Sequence, residues 1–156
     1  MSFGHLNHGK PPLEVAQVTG QQSDIISFVC SEAVDAGDWV DLNDGATAGG
    51  EARIQEVVQG NGTGLCIGVA LETVTAAQIT AAAADGDVVR VRVCVAGYCE
   101  NAKTDGSVAG AGDTLIPAGT GGCAKGQPTN VLPIIGFALE SDGSGTTADV
   151  YIIRRY

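Results

Sequence analysis

Two histidines, five cysteines and two matched glutamates are the residues here whose types could do chemistry. His5 and His8 have the i, i+3 spacing of paired metal ligands, but no cysteine or carboxylate stands near them. No metal site and no cofactor are expected. Cysteines stand at 30, 66, 94, 99 and 123, with no C-x-x-C; Cys94 and Cys99 are the closest pair. Zinc sites use tighter pairs, usually with histidine support. The thiols therefore read as unbridged, buried small hydrophobes of a protein made in a reducing compartment. A disulfide framework is the lesser alternative. No G-x-S-x-G occurs, and both histidines lie at the N-terminus, away from the serines and carboxylates a catalytic set needs. No enzyme is expected. The stretch 60–64, GNGTG, has no long helix after it to aim at a phosphate. In 119–126, GTGGCAKG, Ala124 precedes Lys125 and Gly126 follows it, so the phosphate-loop pattern fails. Both read as Gly-rich turns. Glu72 and Glu140 could form an acid/base pair, but their match has another source.

That source is repetition. IGVALE at 67–72 and IGFALE at 135–140 differ only by Val69 against Phe137. Before them stand AVDAGDWV at 33–40 and VAGAGDTL at 108–115. After them come DVVRVRVCV at 87–95 and DVYIIR at 149–154. The order A-G-D-x-[VL], I-G-x-A-L-E, then an apolar run opened by D-V, occurs twice. A-G-D suits a turn whose glycine takes positive φ, followed by a strand start. I-G-x-A-L suits a short strand whose glycine permits a bulge or a close backbone approach. Arg90 and Arg92 alternate with Val89, Val91 and Val93, the period of a half-buried strand. The two arginines share one face, solvated or turned to an acidic neighbour as a subunit interface. The expected fold is all-β: a compact, Gly-rich β-barrel or sandwich built from two related units, about 31–95 and 107–155, whose apolar faces bury each other. Chance recurrence of common turn phrases is the weaker reading. Between the second and third phrases of the first copy, Ala76 to Ala84 offers a short helix ended by Asp85-Gly86, while threonines at 73, 75 and 80 argue equally for strand or loop. The matching SDGSGTTA, 141–148, reads as a flexible turn.

With 44% hydrophobic and 17% charged residues, the 156-residue chain can fill a core, and aromatics at 4% leave that core to Val, Ile, Leu and Ala. A net charge of −10 argues against nucleic acid. No apolar run approaches the roughly 20 residues of a membrane helix, and no signal-peptide pattern opens the chain. Residues 1–23 differ in kind, with Pro11-Pro12 and no acidic residue before Glu14. They read as an extended arm, held by a neighbouring subunit or a larger assembly, before a single β domain at 24–156. Phe3, Leu6, Leu13 and Val15 are its apolar anchors, suited to β-augmentation of a partner.

The phrase SEAVDAGDWVDL, Ser31 to Leu42, resembles openings of small β modules in tailed-bacteriophage virions. Its pairing with G-V-A-L-E and a later D-V-V-x-V-x-V strand is similar to capsid decoration, or cement, proteins. The resemblance covers roughly 24–156; the Gly-rich 117–130 loop and the arm depart from it. It implies a non-enzymatic virion component, made in the host cytoplasm, that sits on the outer capsid surface, often as a homotrimer. Such a protein binds the major capsid protein and bridges capsomers. The arm would then be capsid-binding. A tail-fibre or head-fibre module for host-surface binding is the alternative. It would call for exposed aromatics near polar loops, for which the chain's seven aromatics equip it poorly.

Overall fold

The computed structural model describes residues 23–43, 55–62, 65–127, 132–143 and 145–153. His5, His8 and the anchors Phe3, Leu6, Leu13 and Val15 lie outside the described residues. The strands are β1 (Ser23–Cys30), β2 (Trp39–Leu42), β3 (Glu56–Gln59), β4 (Cys66–Ala70), β5 (Arg90–Lys103), β6 (Thr114–Pro117), β7 (Cys123–Lys125), β8 (Gly136–Ala138) and β9 (Thr147–Ile152). A helix, α1 (Ala76–Ala84), joins β4 to β5. The fold is all-β in character and contains a closed five-stranded barrel.

The barrel runs β1-β3-β2-β4-β5 and closes because β5 pairs back with β1. Only β1 and β3 are parallel, with Cys30 opposite Val57. Beyond the barrel, the sheet continues β5-β9-β8-β6-β7. A parallel bridge between Thr104 and Cys123 brings β7 back to the end of β5. This second ring follows the same order as the first: a parallel contact, then four antiparallel ones. The 14-residue β5 serves both rings. It passes between them at a bulge opposite Asp24 and Ile25 and at Gly97, whose φ is +89°. A bulge bends a strand and raises its twist, which suits this strand to two rings.

The repeated phrases make the same hydrogen bonds in each ring. Gly37 and Gly112 both take positive φ, +92° and +89°. Their N–H groups donate to Ala70 O and Ala138 O, each at 2.8 Å. Ala70 N and Ala138 N in turn donate to Asp38 O and Asp113 O. Trp39 lies opposite Val69 and Val40 opposite Gly68; Thr114 lies opposite Phe137 and Leu115 opposite Gly136. An ideal Cβ on Gly136 would stand 2.6 Å from Tyr151 O, and one on Gly68 would collide with Cys94 O. The glycine of I-G-x-A-L-E is thus needed in both copies for the close approach of the next strand.

Alternation builds two cores. Val40, Val57, Ile67, Ala70, Val91, Val93 and Val95 point into the barrel. Leu115, Ile135, Ala138, Val150 and Ile152 point into the second ring, where they meet Trp39, Val69 and Cys94 from the outer side of the barrel. The buried Trp39 indole donates Nε1–H to Lys103 O at 3.0 Å and so ties the rings together. Helix α1 settles the ambiguity of its threonines. Thr75 is the N-cap of a capping box with Gln78, and Thr80 Oγ1 bonds back to Ala76 O. Only Ile79 of the helix packs against the barrel core. The turn after β8 is less loose than the sequence suggests. Buried Asp142 accepts from Thr104 Oγ1 at 2.9 Å and Val108 N at 3.1 Å. The 119–126 stretch is not all loop either, because β7 forms within it by pairing with β6.

Candidate functional site

Arg90 and Arg92 stand on the outward face of β5, with Val91 and Val93 inward. Arg92 is already engaged: its guanidinium lies 3.4 Å from Glu72 Oε2, with side chains 60% and 38% exposed. A pair so exposed contributes little stability. The sharper role of Glu72 is to its backbone, since Oε1 accepts from Arg92 N at 2.8 Å. Glu140 does the same in the second ring, accepting from Asp149 N at 3.2 Å. The matched carboxylates pin neighbouring strands, each within its own ring.

Asp38 and Asp113 form the second matched pair. Buried Asp38 takes Gln59 Nε2 at 2.6 Å, Lys103 Nζ at 2.9 Å and the Asp35 N–H at 3.0 Å. Asp113 takes Lys125 Nζ at 2.7 Å and the N–H groups of Ala109 and Gly110. The Lys125 bond and these amides hold its carboxyl below the usual 3.8.

No disulfide links the five cysteines, and all five are buried. Burial raises the Cys30 thiol and pushes Cys123 up to about 12. Cys94 and Cys99 interact across the β5 bend. Their hydrogen bond lowers the first and raises the second. Thiols held neutral by burial are poor nucleophiles. Among the described residues no group of three His, Cys, Asp or Glu is placed to hold a metal.

A groove of about 460 Å³ lies beside this bend, lined by Ser23, Ile25, Leu71, Tyr98, Glu100 and Asn101 among others. Its polar atoms are largely committed to one another. The Tyr98 hydroxyl donates to Asp149 Oδ2 at 2.7 Å, and this bond raises its pKa above the ordinary 10. Asp149 Oδ1 accepts from the N–H of Asn101, whose φ is +54°.

One surface was not foreseen from the sequence. Across the outside of the second ring, Tyr98 lies opposite Tyr151, Tyr151 opposite Phe137 and Phe137 opposite Thr114. Three of the chain's few aromatics thus form one cross-strand row. Phe137, Tyr151 and the adjoining Leu139 are exposed. Composition alone suggested too few aromatics for such a surface. Register, which composition does not record, gathers them.

No family model matches the chain, and no curated protein matches it. Among solved structures it is similar to the head fiber gp8.5 N base in bacteriophage phi29. Identity is 18% and the TM-score 0.55, over 85% of this chain and 96% of that one. At this identity the likeness is one of fold.

Proposed function

We propose that this chain is a structural, non-enzymatic protein of a phage virion, seated on the outer surface of the head against the major capsid protein. The observation that carries the reading is the fold likeness, which spans nearly all of a phage head-fibre base. The resemblance of SEAVDAGDWVDL to virion β modules supports it independently. The carboxylates and thiols described above serve strands, turns and cores, which fits a protein whose work is binding. The arm, with Phe3, Leu6, Leu13 and Val15, is proposed to engage the shell, and three copies are proposed to assemble together.

Two forms of the reading differ in what the protein does to the head. A decoration protein bridges capsomers and strengthens the shell. A head-fibre base anchors an outward appendage, and the fold likeness favours this second form. The test is co-sedimentation of purified protein with heads lacking it, with heat or urea release of packaged DNA read in parallel. Binding with stabilised heads supports the decoration form. Binding with unchanged head stability supports the fibre base. Failure to bind heads refutes both.

A further inference from the structure

The two rings present the same outward positions, but only one set is covered. In the barrel, Val69, Leu71 and Cys94 face outward from β4 and β5 and pack against the second ring's core. The equivalent positions of the second ring are Phe137, Leu139 and Tyr151. The equivalence rests on register: Val69 lies opposite Cys94 and Trp39, as Phe137 lies opposite Tyr151 and Thr114. Leu71 N and Leu139 N then donate to Arg92 O and Asp149 O alike. Val69 is 0% exposed and Cys94 1%, whereas Phe137, Leu139 and Tyr151 are 39%, 44% and 50% exposed.

We propose that the Phe137–Leu139–Tyr151 face, flanked by Tyr98, is a self-association surface that seats a second copy of this chain. The precedent lies within the molecule, where the matching face of the barrel is closed by the protein's own second ring. Phe137 and Tyr151 are larger than Val69 and Cys94, their covered counterparts, as expected where separate chains meet through aromatic anchors. Nearby carboxylates do not demand water on every side. Glu140 Oε1 holds the Asp149 N–H, while Asp149 holds the Asn101 N–H and the Tyr98 hydroxyl. The three side chains offer on the order of 300 Å² per copy. A standard interface uses about 800 Å² per partner, so they form its apolar centre rather than its whole. The inference deepens the assembly part of the proposed function. Its test uses no capsid, and co-sedimentation with heads reads the head-binding part separately.

The experiment is sedimentation equilibrium of the full chain across a range of concentrations and salt. The wild type is expected to show reversible, closed self-association that strengthens with salt, because screening relieves repulsion between chains of charge −10. F137D and Y151D should each raise the dissociation constant at least about tenfold, with circular dichroism unchanged. V88D, placed at an exposed apolar residue outside the row, should leave association as in the wild type. A monomeric wild type, or association that survives F137D and Y151D, overturns the inference. A monomer whose head binding is lost in F137D would assign the row to the capsid instead and equally overturn it.

Discussion

Replacing Gly68 by alanine tests whether the repeated glycine is there for close approach. A Cβ at Gly68 would fall inside any contact distance from Cys94 O, with the carbonyl carbon and Val93 Cγ1 each 2.9 Å away. Two of these three atoms are backbone of β5, the strand that both rings share, so relief requires moving that strand. Over-packing of this kind costs about 1–3 kcal/mol, and G68A belongs at the top of the range, near 3 kcal/mol. At Gly136 the closest approach is 2.6 Å, to Tyr151 O, and a smaller shift of β9 restores contact. G136A should cost about 1–2 kcal/mol. Gly86 is the control: it sits at φ +74° with nothing within 4 Å of a Cβ, so G86A carries only backbone strain. That strain is about 1 kcal/mol.

The assay is urea unfolding followed by the fluorescence of Trp39, the only tryptophan, which lies opposite Val69. The expected order of loss is G68A, then G136A, then G86A. For a domain with the usual 5–15 kcal/mol, the first would be severe. If G68A lost no more than G86A, the glycine would not be there for the carbonyl, and the steric account of the repeated phrase would fail.

Three further outcomes are expected. Trp39→Ala should cost about 3–5 kcal/mol by calorimetry, because the indole fills the junction of the rings; Trp39→Phe should cost less, through the donor lost by Lys103 O. Thiol titration should find almost no reaction in the native protein and five thiols after denaturation, with reductant leaving the melting temperature unchanged; a count of one or three would show bridging. Asp113 has its folded pKa lowered below 3.8, so the stability it adds is complete above that value and is lost as pH falls through the lower folded value. The gap in urea midpoint between wild type and D113N should therefore be full at about pH 6 and narrow as pH falls below the ordinary 3.8.

Local signals in the sequence carried much of the fold. Alternation of Arg90 and Arg92 with valines marked the start of β5, and D-V-Y-I-I marked β9, because period-2 patterning survives in six residues. The A-G-D glycines at positive φ were legible because few other residues accept that backbone. What stayed hidden depends on partners distant in sequence. Strands β3 and β7 are four and three residues long. Each is defined by pairing, including the parallel contact that closes its ring, and EVVQ or CAK alone carries no period. The helix was ambiguous because Thr75 reads as a breaker until its capping box with Gln78 is seen. Asp142 looked like a turn residue because nothing local shows that Thr104 and Val108 converge on it. The aromatic row was invisible for the same reason, since residues 98, 137 and 151 become neighbours only through cross-strand register.

The six-residue phrase can now be read letter by letter. Ile67 and Ile135 fill the two ring interiors, as do Ala70 and Ala138. Gly68 and Gly136 admit the carbonyl of the next strand. Leu71 and Leu139 donate to matching carbonyls, and Glu72 and Glu140 accept from the same two residues, Arg92 and Asp149. Four letters meet equivalent surroundings in backbone or core and are identical, and the fifth is identical although Leu71 packs against the second ring's core and Leu139 is exposed. The third letter faces outward, and there the surroundings diverge, because the second ring covers Val69 and leaves Phe137 open. The single difference falls at a position where the two rings have different neighbours. A residue kept for packing within its own ring would have no reason to change there, whereas a residue meeting a partner that the other ring lacks would. Under the self-association proposed above, Phe137 meets a second copy, a contact closed to Val69 because the second ring already covers it.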